Sequence, residues 1–467
     1  MTARVLVFGL DAGDPATARE LAANGRMPAL ARLLDEGAQH PMTEPRGESY
    51  VAERWTSMVT GVGPEVHRYY CWADADPERW ADRRAPLDPD AVPRLWDHLS
   101  RTGLRVAVID VPRQPLSAVH GIQLCDWGTH DRIRTRSWPR RLTADLDARF
   151  GQYPMAQALR PTPDPGAPCD VLLRSGSDHR SIDKLRELAR LLRQSVDAKT
   201  RLSEDLLAND EWDLFFTVFG ETHCAAHQFW HLRHPARPRE HEQAAHLGDV
   251  VADTFERLDA SLARHLDAVG PAATVVVVLH TGMMKARGGN DLLPAIAARL
   301  AGRSALFRSC EFTNNIGTIR FRVAGRDVDG EMTESSIASA TARLTDELLA
   351  LIDHETGASA VHAVRTRAEV HPGVHDDALP DLFVEWNGDH LIREVSSPTI
   401  GTVTAPRRTA RSSDHTSDGL VLVRGPTTVP GAGRTLDPTE LAPMIAAMLG
   451  VDYEPGRDVV TASTSSA

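Results

Sequence analysis

The sequence predicts an α/β fold, a doubly wound and mostly parallel sheet sandwiched by helices, with inserted lid or cap segments. Two observations carry this prediction. Short β-branched runs recur along the chain: RVLVFGL from Arg4, RVAVIDV from Arg105, WDLFFTVF from Trp212, TVVVVL from Thr274, DLFVEW from Asp381 and LVLVRG from Leu420. They are continuously apolar rather than alternating, as strands are when both faces of their sheet are covered. Amphipathic helical patterns lie between them. From Ser181 to Asn209, Leu185, Leu188, Leu192, Val196 and Leu206 fall near one face, with Ser181 as the N-cap. The stretch from His246 to Gly270 repeats the pattern and ends on a C-capping glycine. The rhythm breaks at about 67–100 and 112–180, which read as insertions rich in Pro, Asp, Arg and Trp, and at about 305–375, which reads as a small cap. Residues 1–455 form a single domain on this reading, and 456–467 a small, polar, disordered tail.

Composition excludes several classes of function. The 467 residues carry a net charge of −12, and Lys184, Lys199 and Lys285 are the only lysines. No basic stripe with interleaved aromatics is present, which argues against nucleic acid as a partner. A small anionic molecule is the expected partner, because a metal or a few arginines can dominate the local field of an acidic protein. No run approaches the ~18 apolar residues of a membrane span. Five scattered cysteines without CxxC spacing, and no apolar leader before the first strand, predict a reducing, cytoplasmic setting. The Arg- and Ala-rich, Lys-poor composition suggests a GC-rich bacterial genome and a place in specialised metabolism.

In open α/β sheets ligands bind outside the carboxyl ends of the strands. Asp11 follows the first run; Glu221, His223 and His227 follow the third; His280 and Thr281 follow the fourth; Asp414 and His415 precede the last. His223 and His227, at i and i+4 on a helix, share a face and can chelate one ion. His415 is the natural third ligand. Three imidazoles suit zinc first, with iron or manganese as alternatives. Other readings compete at each position. Asp11 can cap a turn, His280 can be a hydrogen-bonded core histidine, and Glu221 can cap its helix or act as a general base. Arg320 and Arg326 read as structurally paired.

Several segments together resemble the type I phosphodiesterase and nucleotide pyrophosphatase branch of the alkaline phosphatase superfamily. They are VLVFGLDAGDPATARELAANGRMPALARLLDEGA from Val5, RWTSMVTGVGPEVHRYY from Arg54, NNIGTIRFRVAGRDVDG from Asn314, LPDLFVEW from Leu379 and DHTSDGLVLVRGP from Asp414. The resemblance implies two metal ions and a Thr or Ser nucleophile acting on phosphate or sulfate esters. It puts His223, His227 and His415 at the first ion, where the family pattern has Asp at the first of these positions. It puts Asp11 and His280 at the second ion, in a turn that reads Leu279-His280-Thr281-Gly282 in place of Ser-Asp-His-Gly. The nucleophile position, ten residues before Gly61, falls on Val51, which cannot attack phosphorus. A shifted register would bring Ser49 there instead, and Glu48 and Glu53 flank the segment as candidate base or extra ligand. The resulting expectation is a hydrolase with a rebuilt, mononuclear, His-rich centre and no covalent intermediate, in which the exchange of Asp for His strengthens the ion as a Lewis acid. Two other readings stand beside it: a repurposed metalloenzyme performing elimination, transfer or oxidation, and a non-catalytic relative that binds a ligand in the old pocket.

Overall fold

In the computed structural model of the chain, the described residues are 3–42, 51–71, 73–76, 78–85, 92–128, 135–157, 181–302, 304–310, 316–374, 376–388, 390–405, 412–426 and 433–455. The tail 456–467 lies outside them, as does much of the insertion expected at 112–180. The central sheet has eight strands in the order Ala38–Met42 (β2), Gly419–Arg424 (β19), Thr274–Leu279 (β9), Ala3–Leu10 (β1), Trp212–Phe219 (β8), Val106–Ile109 (β5), Gly121–Cys125 (β6) and Arg136–Trp138 (β7). The five strands from β9 to β6 are mutually parallel, while β19, β2 and β7 pair antiparallel at the two edges.

Burial on both faces explains the unbroken apolar runs. Along β1, Leu6 and Phe8 belong to the core on one side of the sheet, and Val5 and Val7 to the core on the other. Helices cover both sides, among them Ile182–Ala208 and Val250–Val269 on the first and Leu95–Arg101 and Leu441–Met448 on the second. Ser181 caps the first of these as expected, accepting from the Lys184 amide at 3.3 Å. The second begins later than its periodicity suggests. Gly248 at φ +70° ends the preceding helix, Pro238–Leu247, and Asp249 starts the next by accepting from the Ala252 amide at 2.9 Å.

The run DLFVEW corrects the strand assignment. It forms Leu382–Trp386 (β15), which belongs to a separate antiparallel sheet ordered Phe307–Cys310 (β11), Ile316–Phe321 (β12), β15 and Val361–Thr366 (β14). Continuous apolarity reports two covered faces, not strand direction: Leu382, Val384 and Trp386 enter one cluster and Phe383 another. A three-stranded sheet of Ile352–Asp353 (β13), Glu394–Ser397 (β16) and Gly401–Thr404 (β17) adjoins that core. Ala73–Ala75 (β3) and Asp82–Arg84 (β4) form a hairpin, and Gly282–Lys285 (β10) pairs with Ser413–Thr416 (β18). No described helix is long and apolar enough to cross a membrane.

Gly121, the first residue of β6, shows how closely the strands approach. Its φ is +135°, and a Cβ there would lie 2.1 Å from the carbonyl oxygen of Val106 on β5. Gly121→Ala is expected to destabilise the fold by about 2–4 kcal/mol through backbone strain and overpacking. Chemical unfolding measures this; a change within experimental error would contradict the strand geometry.

Candidate metal centre

Parallel register delivers the candidate residues to one edge. Leu10 stands opposite both Phe219 and Leu279, so β1, β8 and β9 end side by side. Pairing continues past the strand ends, with the Asp11 amide donating to Phe219 O at 2.9 Å and the His280 amide to Leu10 O at 3.1 Å. The helix Glu221–Arg233 starts directly after β8 and carries His223 and His227 on one face. β18 enters from the far end of the chain, with His415 opposite Met283 on β10.

These elements bring three imidazoles together. His227 Nε2 lies 3.2 Å from His223 Nε2 and 3.1 Å from His415 Nε2. All the ligand atoms of the three fall within 4.8 Å of one another, and this is the one such group of three or more among the described residues. Nitrogens bound tetrahedrally to a zinc-sized ion stand about 3.3 Å apart, so the spacing fits a shared cation. The outer contacts also fit. His227 Nδ1 donates to the carbonyl of Ser413 at 2.8 Å, which leaves Nε2 as the lone-pair nitrogen. His415 Nδ1 lies 3.3 Å from Thr281 Oγ1. His227 and His415 are buried and His223 is half-buried, so the cluster is closed on two sides and more open at His223. Thr281 thus stands beside a candidate ligand. The role of Ser413 had no signal in the sequence, because it acts through its backbone carbonyl.

Asp11 and His280 form a neighbouring pair. His280 Nδ1 is 3.2 Å from Asp11 Oδ1, which also accepts from Trp55 Nε1 at 2.9 Å. The Trp55 ring stacks on His280 at 4.7 Å and 10°. Arg54, itself buried, donates to the carbonyls of His280 and Ser417 at 2.7 and 2.6 Å and so ties the turn after β9 to the turn after β18. Burial holds the His280 pKa below its ordinary value against the opposing pull of Asp11. A carboxylate and one imidazole are fewer donors than a protein site ordinarily supplies, and among the described residues no third joins them.

The remaining candidates divide. Glu221 is fully buried and accepts from the Tyr153 hydroxyl at 2.9 Å; burial raises its pKa, and the nearby Lys199 opposes that rise. It gives its helix no side-chain cap, since the cap residue is Gly220. Ser49 and Glu48 lie outside the described residues. Val51 and Glu53 fall in the helix Val51–Thr60, and their side chains are outside the description too. Arg320 pairs with Asp327 at 2.8 Å and Arg326 with Asp381 at 2.7 Å, consistent with structural roles.

Ser57 and His67 mimic a nucleophile–base pair, with Oγ 3.0 Å from Nε2. The tautomer runs the wrong way for catalysis. The Tyr69 amide donates to His67 Nδ1 at 3.1 Å, so Nε2 carries the proton and donates to Ser57. Burial, with the charge of Arg94 second, lowers the His67 pKa to about 3.

Residues 5–414 match the model of type I phosphodiesterase / nucleotide pyrophosphatase. The chain belongs to that family. Membership places it among the metal-dependent hydrolases of the alkaline phosphatase and phosphodiesterase superfamily, whose members use divalent ions, typically zinc. Solved structures agree on the fold. A phosphonoacetate hydrolase from Sinorhizobium meliloti 1021, in complex with phosphonoformate, is similar at 16% identity and TM-score 0.57, with 96% of each chain covered. The alkaline phosphatase PafA is similar at 12% identity and TM-score 0.54, covering 97% of this chain and 96% of that one. Murine ectonucleotide pyrophosphatase / phosphodiesterase 5 follows at 14% identity and TM-score 0.52, with the same coverage. No curated protein matches the sequence.

His67 makes this chain's fold acid-sensitive in a defined window. Its folded pKa lies below its unfolded value of 6.5, so the unfolded chain binds the extra proton between pH 6.5 and about 3. The associated stability is complete above pH 6.5 and falls as the pH drops, by up to about 1.4 kcal/mol per pH unit. Urea unfolding of the metal-free protein between pH 6.5 and 5, above the range of most carboxylates, should show that slope. A flat profile would contradict the buried, neutral ring.

Proposed function

We propose that this chain is a hydrolase-type enzyme acting on a small anionic ester, phosphoric or related, through a mononuclear centre held by His223, His227 and His415. One observation carries the reading: three imidazole nitrogens meet within 4.8 Å at the carboxyl edge of the sheet. A divalent ion held there, zinc first and iron or manganese as alternatives, supplies Lewis acidity toward an ester oxygen or a water molecule. The chain's own part is orientation. Ser413 O holds the His227 ring in its ligating tautomer, and Thr281 steadies His415. Asp11 places a carboxylate at the adjacent strand end; a second ion would take Asp11 and His280 and would need a further donor. Val51 at the nucleophile position favours direct attack by water over a covalent enzyme intermediate. A cytoplasmic place in bacterial specialised metabolism rests on composition alone.

A second reading draws on the same donor set. Three nitrogens with no carboxylate suit Fe(II) as well as zinc, which admits oxidative or other non-hydrolytic chemistry.

Elemental analysis of protein purified without added metal separates the readings. One equivalent of zinc is expected, with loss of the ion in His227→Ala. Hydrolysis of phosphonate and phosphodiester test substrates should fall roughly a hundredfold or more in that variant and stop on chelation. Iron in the wild-type protein would favour the second reading; wild-type metal content in His227→Ala would sink the ligand set.

A further inference from the structure

The insertion before the helix Ile182–Ala208 reaches the metal-bearing helix at a buried nest of charged groups. Lys199 Nζ lies 2.9 Å from Asp110 Oδ2, and both side chains are fully buried. Asp110, just past the end of β5, also accepts from the Trp127 and Gly128 amides at 2.9 and 2.7 Å. Tyr153, from the insertion, donates to Glu221 Oε1 at 2.9 Å. The groups converge on one point: a Cβ on Gly128 would lie 3.0 Å from Asp110 Oδ2, 3.2 Å from the Tyr153 ring and 3.4 Å from Lys199 Cδ. Of the 52 basic residues only three are lysine, and one of these fills the nest. A compact ammonium suits so enclosed a position, whereas a guanidinium brings five donors that would all need acceptors.

The direction of the first helical turn gives the nest its consequence. Successive residues on a helix point about 100° apart. Glu221 points into the nest, Thr222 Oγ1 donates to the Asp11 carbonyl at 2.5 Å, and His223, next in line, meets His227 and His415. The helix begins at Gly220 with no side-chain cap. The body of the helix is held by its packed face, Cys224, Ala225, Phe229 and Leu232 among the core residues, and its first turn is held as well by the two side chains that precede the first ligand. We infer that Tyr153, backed by the Lys199–Asp110 pair, is a positioning residue for the metal centre: through Glu221 it holds the first turn of the helix, from which His223 is aimed. This rests on the reading that the three imidazoles hold an ion. It gives Glu221 a task other than that of general base, and it gives the insertion a direct link to the centre.

Cobalt(II) is the probe, because its visible absorption reports ligand geometry. Tyr153→Phe should weaken Co²⁺ affinity about tenfold and shift the visible band, with affinity measured by chelator competition. Glu221→Gln, whose amide oxygen still accepts from Tyr153, should keep affinity and spectrum close to the parent's. Melting of the metal-free proteins confirms that both variants fold. A parent-like affinity and spectrum in Tyr153→Phe overturns the inference. So does a Glu221→Gln variant that loses affinity and spectrum as Tyr153→Phe is expected to. A parent protein with no cobalt spectrum fails the metal reading itself, which is a separate result.

Discussion

The candidate centre depends on a crowding of three imidazole nitrogens around one point. A carbonyl oxygen only accepts, so the bond from His227 Nδ1 to Ser413 O fixes one proton and leaves Nε2 of the neutral ring with a single lone pair. Two more Nε2 atoms stand 3.1 and 3.2 Å from it. One lone pair takes one N–H along its axis, so within the trio His227 Nε2 accepts from one of the other two rings at a time. A second proton on His227 would instead place a positive charge on a fully buried ring. A dication between the rings would satisfy all three lone pairs at once. The surrounding sheet is what permits the crowding, because the helix that follows β8 carries two of the rings and β18 returns from late in the chain with the third.

That dependence explains how much was legible in the sequence. The i, i+4 spacing of His223 and His227 after a strongly apolar strand is a local signal, and local signals survive in a one-dimensional reading. His415 was reachable because it too lies beside an apolar run. Five of the six apolar runs fall in the central sheet, but DLFVEW does not, because continuous apolarity records burial on both faces and not the identity of the neighbouring strand. The direction of β19, antiparallel to β9, was equally silent.

Groups that act through backbone atoms or across long sequence separations left little trace. Ser413 contributes a carbonyl, which any residue has. Trp55 lies 44 positions from Asp11 yet donates to its carboxylate, and Tyr153 lies 68 positions from Glu221. A glutamate after a strand reads as a cap or a base until its partner is known. Lys199 offered a compositional hint, as one of three lysines in an arginine-rich chain, but its meaning depends on full burial beside Asp110.

The family resemblance implies carboxylates where His223 and His280 stand. Losing both removes two negative charges, the amount by which losing one dication lowers the positive charge. One ion beside Asp11 therefore carries the same net formal charge as two ions with three carboxylates, so a small anion meets a comparable long-range field. The chemistry at short range would differ under the proposed single-ion centre: the remaining charge would sit on one strongly acidic ion, without the two-ion grip on attacking and leaving oxygens. Val51 fits that change, since a covalent intermediate needs both an attacking side chain and stabilisation of its attack. Paired losses that leave the charge balanced, with the imidazoles still converging and their outer hydrogen bonds in place, favour a rebuilt centre over an eroded one.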